Sequence, residues 1–118
     1  VNGTTSTFAG TVNSQNITNT GTGTTIFQDD VNATNVNVNA GTSNFQYNLT
    51  AISTTITTGI GNFNTLSGTT SSNIVFTGDG TANLYNGLTG NVTTSGAGTG
   101  TLNLVGSNNQ TVNGNVGV

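Results

Sequence analysis

Residues 24–41 read "TTIFQDDVNATNVNVNAG", and residues 42–61, "TSNFQYNLTAISTTITTGIG", repeat their outline. Phe27 returns as Phe45, Val31 as Leu49 and Val36 as Ile56, and both stretches close on Gly. Inside them, "VNVNA" (36–40) alternates apolar and polar side chains, and "TITTG" (55–59) follows the same pattern. A period of two is that of a half-buried strand. Thr, Val, Ile and Phe suit a pleated surface. A helix is disfavoured, because Gly, Thr and Asn are poor helix formers and occur throughout.

The same beat runs outward along the whole chain. One apolar series is Phe8, Phe27, Phe45, Leu66, Leu84, Leu102, and a second is Ile17, Val36, Ile56, Ile74, Val92, Val112. The steps of both average close to 19 residues. A third series, Val12, Val31, Leu49, Leu88, lapses at Thr70 and Gly106. Gly and Asn punctuate at "TGTG" (20–23), "NAG" (39–41), "GIG" (59–61), "GDG" (78–80), "GAG" (96–98) and "NGN" (113–115). "TLNLV" (101–105) alternates as well.

The chain therefore reads as about six units in a single β-repeat domain spanning 1–118. One such unit cannot bury its apolar face alone, and stacking unit on unit makes a continuous core. The expected fold is all-β: a parallel β-solenoid of about six coils, a rod on the order of 30 Å long at about 4.8 Å per coil. Its interior takes the Phe, Leu, Val and Ile columns. Asn at equivalent turn positions is expected to form amide ladders, and Asn and Gly accept the positive φ of tight corners. The alternative is an antiparallel β-sandwich with strand exchange between subunits, which also shows short alternating strands and frequent turns. A sandwich gives no reason for apolar columns to recur every 19 residues.

Composition narrows the function. The chain has no Lys, Arg or His, and its only acids are Asp29, Asp30 and Asp79. Thr, Asn, Gly and Ser supply 75 of its 118 residues, so solubility rests on hydroxyls and amides. Disorder usually brings Pro and many charges, and both are scarce here. Nucleic-acid binding leans on Lys and Arg, as does docking to anionic lipid; neither partner is expected. No apolar run approaches a membrane span of about 20 residues. There is no Cys for a disulfide framework. The start at Val1, without Met or a signal-peptide pattern, fits a processed chain or an excised segment. The lack of trypsin sites suits an extracellular life.

Catalysis has little to work with. Ser-His-Asp and Cys-His arrangements lack their His and Cys, and zinc lacks its usual ligands. No catalytic, cofactor-binding or metal residue is assigned. Adjacent Asp29 and Asp30 would point to opposite faces of a strand, and "FQDDVN" reads as a solvated turn. Asp79 in "TGDGT" reads as a turn residue; a weak Ca²⁺ site of turn carbonyls is the sharper alternative, without the Gly-rich repeat such sites use. "GAGTG" (96–100) lacks the Lys-Ser/Thr ending of a phosphate loop and reads as a corner. Sequons begin at Asn2, Asn16, Asn32, Asn48, Asn91 and Asn109, no more than the composition yields by chance. Phe8, Phe27, Phe45, Phe63, Phe76, Tyr47 and Tyr85 read as core or stacked residues, with a sugar platform around Tyr47 and Tyr85 as the alternative.

Strings such as "NVTTSGAGTGTLNLVG" (91–106) and "NIVFTGDGTANLYNG" (73–87) resemble the Thr/Asn/Gly-rich β-solenoid passenger repeats of bacterial autotransporter and two-partner-secretion adhesins, rickettsial outer-membrane surface antigens above all. The resemblance covers essentially the whole chain and implies an exported surface protein with an adhesive, coating or fibre-forming role. The near absence of charge sets this chain apart from such passengers. Val1 to Thr11 and Thr111 to Val118 offer no helix, Pro or charge cluster as a cap. The expected function is a non-enzymatic extracellular structural protein, a self-associating subunit of a bacterial surface filament or biofilm-matrix fibre. Its expected partners are copies of itself. The alternative is an adhesin passenger segment that binds host surface or glycan.

Overall fold

Residues 4–96, 99–106 and 110–117 are described by the structure, a computed structural model. Each coil begins with a short strand and continues into a long one. The short strands are β1 (Thr5–Phe8), β3 (Thr24–Phe27), β5 (Thr42–Phe45), β7 (Ile60–Phe63), β9 (Thr81–Leu84) and β12 (Thr101–Leu104). They hydrogen-bond in that order as one six-stranded sheet. The long strands are β2 (Val12–Asn19), β4 (Val31–Val38), β6 (Leu49–Ile56) and β8 (Thr70–Phe76), and they form the second sheet. That sheet continues through β10 (Leu88–Thr89), β11 (Val92–Thr94) and β13 (Val112–Asn113). Every pairing is parallel. The fold is the expected parallel β-solenoid, with five turns between the first and the last of the six short strands.

The long strand is bent. In β4, Val31 and then Val36 and Val38 are buried, so the inward phase flips midway. The register of β6 against β8 shifts between Thr50 and Ser53, and in the next coil β10 and β11 divide the work of one long strand against β8. Each coil thus presents three faces to a narrow interior. The extents are 33 × 28 × 26 Å, so the shape is a stubby prism rather than the expected rod.

Phe8, Phe27, Phe45 and Phe63 occupy one inward column, and their rings stack at centroid spacings of 5.2, 4.9 and 5.3 Å. Leu84 and Leu104 continue it. Two expected members of this series do not belong: Leu66 is exposed, and Leu102 faces Ala82 one column over. The corner from Asn64 to Thr69 carries the displacement, with Asn64 at φ 60°. Buried Asn64 holds this longer corner by donating to the Tyr47 carbonyl (2.6 Å) and accepting from the Thr70 hydroxyl (2.7 Å).

The second series is corrected in the same way. Its column runs Ile17, Val36, Thr54, Ile74, Val92, Val116. Ile56 instead follows Asn19 and Val38 and precedes Phe76. The third column lapses at Thr70 as expected, but Val112, not Gly106, fills its last position.

Amide ladders are present, but on the outward faces of strands rather than at turns. Asn103 donates to Asn83, Asn83 to Asn62 and Asn62 to Asn44, at 2.9, 2.8 and 2.6 Å. Asn32 donates to Asn13 and Asn35 to Asn16, both at 3.0 Å. At corners, and at Asn73 within β8, Asn side chains accept from backbone instead. The Asn48 amide oxygen takes the Thr69 N–H, that of Asn73 takes the Asn91 N–H, and that of Asn91 takes the Asn115 N–H, each at 2.8–2.9 Å. These bonds join coil to coil without charge.

Candidate functional site: the open coil ends

The three acids lie on two different corners. Asp29 and Asp30 turn the chain from β3 into β4, and Asp79 turns it from β8 into β9. Asp29 accepts from the Asp30 N–H (2.9 Å) and the Thr11 hydroxyl (2.8 Å). Those bonds, the Asp30 amide first, hold its carboxyl below the usual range. Asp30 accepts from the Asn48 N–H at 3.2 Å. Both carboxylates therefore bond neighbouring coils together, and no cluster of three potential metal-ligating side chains forms among the described residues.

The remaining candidates are dispersed. Asn16, Asn32, Asn48 and Asn91 are exposed, yet each side chain already bonds an adjacent coil. Asn2 and Asn109 lie outside the described residues, as do Ala97 and Gly98 of "GAGTG". In that stretch Gly100 has φ +84°, and a Cβ there would enter the Phe76 ring, so its glycine answers to packing. Tyr47 is exposed and Tyr85 half-buried on the corner that follows the short strands, but no ring contact joins them. Phe76 is buried, as expected, though inside the second sheet rather than the Phe stack.

What the coils do bring together lies at the two ends of the stack. Among the described residues, β1 and β2 pair on one side only, and so do β12 and β13. Phe27 is 1% exposed inside the aromatic column, whereas Phe8 at its beginning is 37% exposed. At the other end Leu104 is 53% and Val116 62% exposed. The core columns thus run out to both end faces beside strand edges whose backbone groups can receive a further strand. The acids stand on intermediate corners, and residues 4–20 and 99–117 carry no charged side chain.

The sequence signals Phe8 through its place in a recurring apolar series, whereas Leu104 and Val116 stand outside the series read there. Comparison with protein-family models, with curated proteins and with solved structures gave no match.

Proposed function

We propose that this chain is an extracellular structural protein that joins copies of itself end to end, as the subunit of a bacterial surface filament or biofilm-matrix fibre. The observation that carries this reading is the exposure of Phe8, Leu104 and Val116, which are core-column residues everywhere except at the ends. Large apolar groups beside open strand edges favour a further parallel coil. A net charge of −3, none of it at the end faces, supplies little repulsion between subunits. The resemblance to autotransporter and two-partner-secretion passengers supports a cell-surface or secreted location.

The second reading is an adhesin passenger segment within a larger exported protein. Tyr47, exposed beside the extended corner that carries exposed Leu66, favours it by offering a surface for a host molecule or glycan. Negative-stain electron microscopy of the purified chain, concentrated at neutral pH, separates the two. Unbranched fibres of uniform width are expected. Single particles at every concentration would overturn the filament reading in favour of the passenger.

A further inference from the structure

The two end faces carry residues of matching character, apolar inward and polar outward, in the same order. Following the pairing register through the stack, Phe8 shares its column with Leu104, Val12 with Val112, and Ile17 with Val116. The outward columns agree too. Thr5 corresponds to Thr101, Thr7 to Asn103, and Asn13 to Asn113. Asn115, whose neighbour Val116 bridges Val92, corresponds to Asn16.

We infer that copies join head to tail in one register, the last coil of one seating the first coil of the next as though the chain continued. This rests on the filament reading and adds polarity and register to it. In that register Leu104 meets the next copy's Phe8, Val112 its Val12 and Val116 its Ile17. Asn113 over Asn13 repeats the amide pair that Asn32 makes with Asn13 inside the molecule. Backbone bonding continues in kind: the Gln28, Gln46, Tyr85 and Val105 N–H groups each donate to the carbonyl that closes the preceding short strand. The Ala9 N–H of the next copy would donate likewise to Leu104.

A twofold contact lacks this agreement. Two first coils, or two last coils, brought face to face run their strands in opposite senses, and the parallel register that every pair in the fold uses is lost. Like ends are therefore not expected to pair, and the polymer has two distinguishable ends.

The chain contains no Cys, so introduced thiols report the junction alone. Thr7→Cys and Asn103→Cys would face each other across it, at a strand spacing of about 4.8 Å that a disulfide can bridge. Thr5→Cys and Thr101→Cys form a second matched pair and leave the amide ladder untouched. On oxidation of mixed single variants, each matched pair should give heterodimer. The crossed pair Thr5→Cys with Asn103→Cys, about 8 Å apart, should give about tenfold less. Fibres that yield no matched heterodimer from either pair would overturn the register while leaving the filament reading intact. Homodimers of Thr7→Cys or of Asn103→Cys alone would overturn the polarity. Absence of both fibres and cross-links would defeat the filament reading and this inference together.

Discussion

Phe45 has a ring on either side of it, at 4.9 and 5.3 Å, and almost no contact with water. Phe45→Ala should cost about 3–5 kcal/mol, because neighbouring coils held at fixed spacing cannot close the cavity. Phe8→Ala, at the solvent-facing end of the same column, should cost about 1–2 kcal/mol. Urea denaturation of both variants, under conditions where the chain is monomeric, tests the contrast; equal losses would contradict the stack as described. Gly61 shows the opposite constraint. A Cβ there would lie 2.7 Å from the Phe63 ring, so Gly61→Ala should cost about 1–3 kcal/mol by overpacking. Phe8, Phe27 and Phe45 can be placed in one column from sequence because each opens a unit in the same way. Leu66 misleads because spacing counts residues, not the path they take. The chain spends three extra residues in the Asn64–Thr69 corner, so Phe63, 18 residues after Phe45, takes the place that a regular step back from Leu84 assigns to Leu66.

At the scale of the strand, order comes from ladders that cross from coil to coil. Asn62 sits inside such a ladder, donating to Asn44 and accepting from Asn83. Asn62→Ala should cost about 1–2 kcal/mol, and Asn44→Ala, which breaks one of these bonds, less. The buried pair of hydroxyls on Thr54 and Ser72, 2.9 Å apart, makes a sharper case. Ser72→Ala strands the Thr54 hydroxyl inside the core and should cost about 1–3 kcal/mol, while Thr54→Val with Ser72→Ala should restore most of it. A double variant weaker than the sum of the singles would contradict the pairing. The strands and their beat are legible in the alternation of "VNVNA" and in the recurring Gly. The bend within each long strand is not. It reverses the inward phase between Val31 and Val36, and Asn and Thr lie on both sides of it with no change in polarity to mark the turn. The amide ladders moved from corners to strand faces for the same reason: an outward Asn and a corner Asn look alike until the register is known.

For the whole molecule the scarcity of charge has direct consequences. Asp29 has its carboxyl held low by two hydrogen bonds. A depressed folded pKa contributes stability that is present above the unfolded value and lost as pH falls through the folded one. Melting temperature should therefore stay level through neutral pH and begin to fall in the acid range, with Asp29→Asn reducing the slope. Salt up to about 1 M should leave stability nearly unchanged, since there are no opposite charges to screen. A marked salt effect would contradict a fold held without ion pairs. The recurrence of apolar columns is legible in the sequence, but the match between the first and last coils is not, because it depends on which residue faces inward in each. In the proposed filament, copies continue one another's coils along a common axis. The decisive measurement is cryo-electron microscopy of the concentrated chain. Fibres with an axial strand spacing of about 4.8 Å and a subunit repeat of about 29 Å, six coils per copy, are expected. Fibres whose strands lack that axial spacing, or a preparation of single prisms at every concentration, would contradict that arrangement.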